Sequence, residues 1–266
     1  MPPCGQATHV SHKPAVRKTT MPHITTLPLI APELLPQHLA VIMDGNGRWA
    51  TQKGLPRTEG HKAGVASARL VVEECQRLGI GFLTLYTFSQ ENWKRPKSEV
   101  AFLFDLLVDF ITRELPVLEK RGVRLAVLGH FAELPFTTRK VLQHAMERTA
   151  HGTAMTLNLA LNYSGRQEIV DACTAYHAAH GSMKGLTPET LANYLYTAGQ
   201  PDPDMVLRTS GELRLSNFLP YQSAYSELYF TETLWPDFTP AHLHEALGAF
   251  AHRQRRFGGL AEQGKH

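Results

Sequence analysis

"AVIMDGNGRWA", residues Ala40 to Ala50, is the stretch whose reading fixes the architecture. An apolar run stops at an acid and meets two glycines, an asparagine, an arginine and a tryptophan. Asp-Gly and Asn-Gly are strong hairpin signals. A hairpin needs a second strand, however, and "TQKGLPRTEGHKAG", from Thr51 to Gly64, is too polar and glycine-rich to pair back. Helical periodicity then runs from Val65 to Leu78. The turn therefore ends a buried strand and leads through a loop into a helix. Open α/β sheets hold ligands at such connections, outside the carboxyl ends of their strands.

The alternation continues to the end of the chain. Strand-like runs begin at His38, Phe82, Val123, Met155, Met205 and Leu228. Helical patterns cover 64–78, 99–120, 139–149, 166–179, 188–196 and 241–257. Short β-rich runs separated by helices predict a mainly parallel sheet covered on both faces.

Composition narrows the class. A chain of 266 residues, 43% of them hydrophobic, can bury a sizeable core, and with no Pro-, Gly- or Ser-rich linker a single domain is expected. The formal net charge of +3 suits a phosphate-bearing ligand but falls short of a nucleic-acid signature, so no nucleic-acid partner is expected. Cys4, Cys75 and Cys173 match no zinc or disulfide framework and fit a reducing, cytoplasmic setting. No apolar run reaches the length of a membrane span. Residues 1–36 lack an apolar signal core and read as a disordered tail, in which the sequence leaves the start open between Met1 and Met21. Residues 37–259 read as the folded domain, and 260–266 as a C-terminal tail.

The polar clusters carry the chemistry. Asp44 to Trp49 follows the first strand, "SQENWKRP" (Ser89 to Pro96) the second, "NYSGR" (Asn162 to Arg166) a later one, and "RTSGELRLS" (Arg208 to Ser216) the run "MVL". Converging strand ends place Asp44, Arg48, Ser89, Asn92, Arg95, Arg208, Arg214 and Ser216 on one rim. Guanidinium forks, small hydroxyls and glycine-freed amides make a polyanion site. Neither G-x-x-x-x-G-K-[ST] nor a G-x-G-x-x-G opening a helix is present, which removes the P-loop and dinucleotide readings. A lone carboxylate, Asp44, among these cations makes most sense holding Mg²⁺ beside a diphosphate.

"HLAVIMDGNGRWA", "GHKAG", "FSQENWKRP", "LNYSGRQEIVDA", "RTSGELRLSNF" and "AYSELYFTETLWPDF" occur in this order between about Pro36 and Gly259. On these motifs the chain resembles the cis-prenyltransferases of the undecaprenyl diphosphate synthase (isoprenyl transferase) type. The resemblance implies an α/β single domain with a central mainly parallel β-sheet flanked by helices and an apolar tunnel, neither Rossmann nor the all-α trans-prenyltransferase fold. It implies condensation of isopentenyl diphosphate onto an allylic diphosphate, commonly farnesyl diphosphate, with each new double bond cis. The expected product is undecaprenyl diphosphate, the lipid carrier precursor for cell-wall polysaccharide, with a product of another length as the alternative.

The same resemblance distributes roles. Asp44 binds Mg²⁺ and assists departure of the allylic diphosphate. Gly45, Asn46, Gly47 and Arg48, with Arg57 and His61, grip that diphosphate. Arg208, Arg214 and Ser216 hold isopentenyl diphosphate, with Leu215 beside them, and Glu227 completes the metal shell. Ser89, Gln90, Glu91 and Arg95 belong to the substrate site, Trp49 and Trp93 line it, and Asn92 stands near the proton-loss step. A homodimer is implied. Taken singly, Arg57 and Arg95 would read as surface charges and the tryptophans as packing; only their places in the motifs reverse this. Trp235 reads as packing, and His242 and His244 show no ligand spacing. Arg253, Arg255 and Arg256 end a helix, where cations suit the macrodipole, and they also suit peripheral contact with an anionic membrane.

A hydrocarbon product needs an apolar tunnel, for which Val100, Phe102, Leu103, Leu106, Leu107, Leu85 and Leu157 are the candidates. Gln90, Ser164, Pro220 and Tyr221 depart from the family pattern, and Thr87 stands where a smaller alanine is frequent. Three other classes are disfavoured. A trans-type enzyme needs D-D-x-x-D pairs, which are absent, and a non-catalytic partner subunit loses residues that are present here, Asp44, Arg208, Arg214 and Ser216. An RNA-binding module would cluster Lys and Arg with aromatics along one strand.

Overall fold

The computed structural model describes residues 30–253. In order they form β1 (His38–Ile42), α1 (Asn46–Gln52), α2 (Arg57–Leu78), β2 (Phe82–Ser89), α3 (Lys97–Lys120), β3 (Val123–Leu128), α4 (Phe136–Thr149), β4 (Met155–Tyr163), α5 (Gly165–His180), α6 (Pro188–Ala192), β5 (Met205–Arg208), β6 (Glu227–Phe230) and α7 (Pro240–Ala251). The six strands lie in the order β3-β4-β2-β1-β5-β6, and every pairing is parallel.

Strand alternation sorts the core into two faces. Leu39 and Val41 of β1 join residues of α2, α3, α4 and α7 in the larger cluster, while Ala40 and Ile42 join Tyr163, Val206 and Phe218 in a smaller one. Because both faces are covered, β1 is buried along its whole length and reads as a continuous apolar run. From the centre of the sheet, β1 leads outward to β2 on one side and β5 leads to β6 on the other. The ends of β1 and β5 are therefore a topological switch point, where such sheets open a crevice.

Two expectations need correction. The segment after Gly45 is not a loop: α1 spans Asn46–Gln52 and α2 already begins at Arg57. Gly45 itself is left-handed (φ 113°), with Ser210 and Leu234 packed where a Cβ would stand. The predicted tail also ends earlier than residue 36, since Ile30 and Leu35 bury apolar side chains against the core and Pro32–Leu34 forms a 3-10 turn. The rest of that tail, with Cys4 and Met21, lies outside the described residues, as do Arg255, Arg256 and 260–266. Cys75 and Cys173 are free thiols. Among the described residues no helix is long and apolar enough to cross a membrane.

Candidate active site

Asp44 leaves the end of β1 with its backbone bracketed by Thr209. That hydroxyl accepts from Asp44 N at 3.0 Å and donates to Asp44 O at 2.6 Å. Its carboxylate oxygen Oδ2 accepts from Arg208 Nη2 at 2.9 Å and Arg48 Nη2 at 3.2 Å. Burial works against the Asp44 charge, but Arg208, then Arg48 and Ser210, hold the carboxyl below its usual range. Arg208 is buried, and its Nη1 donates to Ser216 Oγ at 2.8 Å and to the Arg214 carbonyl. Ser210, Ser216, Asn217 and Leu219 all have positive φ, so the segment carrying these contacts is held in a conformation costly for side-chain-bearing residues.

A second polar group comes from α2: His61 borders the cavity and Arg57 lies beside it against Gly47. Arg57 and His61 come from the first turns of α2, whose glycines allow a close approach: a Cβ on Gly60 would fall 2.0 Å from Asn46 O, and one on Gly64 would fall 2.4 Å from Asn46 Oδ1. The Arg57 guanidinium lies against Gly47. Burial lowers the His61 pKa, so the ring is neutral near pH 7. Asn46 Oδ1, His61 Nε2 and Arg208 Nε are all buried without a hydrogen-bond partner.

Below the mouth opens a cavity of about 680 Å³. Asp44, Asn46, His61, Ser89, Glu91, Asn92, Arg95, Arg208, Arg214 and Ser216 border its polar end, and Leu85, Thr87, Phe88, Leu103, Phe104, Leu106, Leu107, Phe110, Leu159 and Leu161 its apolar part. Anion-binding groups over hydrocarbon walls suit an amphiphile with a charged head.

The comparisons agree with this geometry. Residues 42–258 match the family model described as "Putative undecaprenyl diphosphate synthase". The chain belongs to this family. It is 51% identical to an isoprenyl transferase of Heliobacterium mobile, the match covering 87% of this chain and 90% of that protein. To an isoprenyl transferase of Thermotoga maritima it is 50% identical, over 85% and 98% of the two chains. Among solved structures it resembles lavandulyl diphosphate synthase from Lavandula x intermedia in complex with dimethylallyl diphosphate, with TM-score 0.81, 33% identity and coverage of 85% and 99%. It also resembles a probable undecaprenyl diphosphate synthase from Campylobacter jejuni, with TM-score 0.71, 36% identity and coverage of 84% and 98%. The sheet and helices are those of the undecaprenyl diphosphate synthase family, and the chain is a prenyl-transferring enzyme.

Not every expected residue of this prenyltransferase reaches the cavity. Glu227 opens β6 in register with Met205, at the far end of the sheet from Asp44, and its carboxylate takes Arg253 Nη1 at 2.7 Å. Within one chain it therefore does not complete a metal shell with Asp44. Trp49 turns away to donate from Nε1 to Asp237 at 2.8 Å, beneath Lys53. Trp93 does not border the cavity but packs on Phe88 and Phe104, which do, and donates to Asn162 Oδ1 at 2.7 Å. Gln90 lies outside the wall, and Leu215 packs on the smaller core cluster. Of the tunnel candidates, Val100 and Leu157 are core and Phe102 is not in the wall. Asn92 Oδ1 accepts from Ser89 N at 3.1 Å, so this amide shapes the turn over Gln90–Lys94.

Sequence reasoning missed Glu99, Thr209, Ser210 and Asn217, and it read Trp235 as packing alone. Trp235 is fully buried and also borders the cavity, donating to Gly64 O at 2.8 Å. Magnesium fits this donor set. Asp44 offers a hard oxygen ligand, and no group of three or more His, Cys, Asp or Glu able to hold a metal occurs among the described residues. Asp44 is the side chain that would hold such an ion.

Proposed function

We propose that this chain elongates prenyl diphosphates, condensing isopentenyl diphosphate onto an allylic diphosphate, farnesyl diphosphate as primer, to give a long cis-polyprenyl product such as undecaprenyl diphosphate. The observation that carries the reading is the union in one cavity of Arg95, Arg208 and Arg214 at a polar end and a hydrocarbon floor, with Arg48 held beside it on Asp44 and Arg57 beside it against Gly47.

In this reading the loop from Gly45 to Arg48, Arg57 and His61 hold the allylic diphosphate, while Arg208, Arg214 and Ser216 hold isopentenyl diphosphate. The alkene of isopentenyl diphosphate attacks the allylic carbon, a carbon–carbon bond forms, and the allylic carbon–oxygen bond breaks to release diphosphate. A proton then leaves the former isopentenyl unit. Asp44 would hold Mg²⁺, which when bound would supply charge neutralisation for the departing diphosphate. The preorganised guanidiniums add donors where charge develops, which is the dominant catalytic contribution in such sites. Asn92 positions the turn; an amide is no base, which leaves diphosphate or water as proton acceptor. The growing chain descends between α3 and the sheet, and removing it from water drives its entry.

Incubation of the purified chain with labelled isopentenyl diphosphate, farnesyl diphosphate and MgCl₂, followed by solvent extraction and chromatography, tests this. Metal-dependent incorporation into a hydrophobic product, lost with EDTA and in Asp44→Ala, is expected. Equal incorporation by Asp44→Ala in the presence of Mg²⁺ overturns it. The homodimer expected of the family is tested by light scattering of the same sample.

A further inference from the structure

Glu99 lies in the first turn of α3, and a single oxygen of its carboxylate, Oε1, faces three groups. Arg57 Nη2 is 3.4 Å away, Arg95 Nη1 3.3 Å and His61 Nε2 3.4 Å. A well-made charge-assisted hydrogen bond is about 2.7–2.9 Å long. Each contact here is longer, so one oxygen stands among three donors without saturating any of them. His61 Nε2, indeed, is buried with no hydrogen-bond partner. Burial works against the Glu99 charge, yet Arg57 and Arg95 outweigh it and keep the carboxylate ionised.

Arg57 and His61 are the side chains read above as the allylic-diphosphate grip, and Arg95 borders the same cavity. We propose that Glu99 is the resident counter-anion of this grip, given up by Arg57, Arg95 and His61 when a diphosphate arrives and taken back when pyrophosphate leaves. The inference rests on that assignment of the grip. A diphosphate carries more charge and more acceptor oxygens than one carboxylate, so it wins the exchange. Because its contacts replace existing ones, the net affinity is a difference, smaller than the contacts alone would give. The loss falls on the by-product as well as the substrate and so favours release of pyrophosphate after each condensation.

A strut that merely aims the guanidiniums would act in the opposite direction, and the sign of the effect separates the two roles. Titration of the full chain with inorganic pyrophosphate in MgCl₂ is the test. Glu99→Gln, which keeps the shape and removes the charge, is expected to bind pyrophosphate roughly two- to fivefold more tightly, the scale of one partly exposed ion pair. Product inhibition by pyrophosphate should strengthen by the same factor. Glu99→Ala is expected to shift in the same direction and serves if the glutamine variant folds poorly. Unchanged or weakened binding in the folded variants overturns the proposal. Arg57→Ala separates the two levels of failure. If it weakens pyrophosphate binding while Glu99→Gln does not tighten it, the counter-anion role alone falls; if it has no effect, the grip assignment falls and the inference with it.

Discussion

The Asp44 carboxylate and the Arg208 guanidinium meet at 2.9 Å across 164 residues of chain, because β1 and β5 are neighbours and end at the same level. Arg208 is only 4% exposed, whereas Asp44 is about one-third exposed. Removing the carboxylate therefore strands a buried cation while costing Asp44 little solvation. Asp44→Ala is expected to lower the turnover rate roughly 100- to 1000-fold, the scale of losing one preorganised electrostatic group. It should also destabilise the fold by about 1–3 kcal/mol, from the unpaired Arg208. Isopentenyl incorporation and a denaturant melt read the two effects separately. A variant losing activity with no change in stability would show that Arg208 finds another partner.

Glycine has opposite consequences at two helical positions. At Gly248 in α7 no atom lies within 4 Å of the place a methyl group would take, so Gly248→Ala is expected to gain about 0.5–1 kcal/mol from helix propensity alone. At Gly60 in α2 the same methyl would sit 2.0 Å from the backbone oxygen of Asn46. Backbone cannot rotate aside as a side chain can, so α1 and α2 must separate. Overpacking of this kind costs about 1–3 kcal/mol and outweighs the propensity gain. Gly60→Ala should melt lower than the parent and lose activity, since the displaced segment carries Asn46, Gly47 and Arg48. Thermal melts of both variants in one buffer check the contrast.

Much of this fold was legible because a parallel sheet covered on both faces makes its strands apolar runs, as in β1. Polar motifs at the strand ends then stand out, and Asp44, Arg208, Arg214 and Ser216 meet as their spacing suggests. What stayed hidden depends on contacts distant in sequence. Helix α1 has glycine and polar residues rather than an apolar stripe, and it is fixed by α2 pressing Gly60 and Gly64 against Asn46. Glu99 reads as an ordinary acid at a helix start until α2 brings Arg57 and His61 beside it. The place of Glu227 follows from its register with Met205, which no local pattern states.

His130 gives a pH dependence with a definite sign. Its Nε2 lies 2.6 Å from Asp171 Oδ2; that hydrogen bond raises the pKa, burial opposes it, and the charges of Asp171 and Glu133 add to it. A folded pKa above the unfolded value means that the folded state binds the proton more tightly. The stabilisation is fully present below the unfolded value of about 6.5 and is lost as pH rises through the folded one. The parent should therefore lose its advantage over His130→Gln as pH rises from about 6 to about 9. Melting both proteins across that range checks this, and a difference that is constant with pH would rule it out.

Thr87 is placed to influence product length. β2 and β4 shift register between the pairs Tyr86 with Ala160 and Phe88 with Leu161, so Thr87 is the extra residue of a bulge. Bulges re-aim a side chain, and this one borders the cavity beside Leu85 and Phe88. Its hydroxyl lies 3.3 Å from Leu85 O and so has a local acceptor within the strand. A larger residue there takes volume from the space that, in the proposed reading, a growing chain fills, while the groups around Asp44 and Arg208 stay untouched. Thr87→Leu is expected to shift the product distribution to shorter polyprenols while the first condensation proceeds at close to the parent rate. Thr87→Ala is expected to shift it to longer ones. Chromatography of the dephosphorylated products from matched incubations reads both shifts, and identical distributions from the two variants would place the end of the chain elsewhere in the cavity.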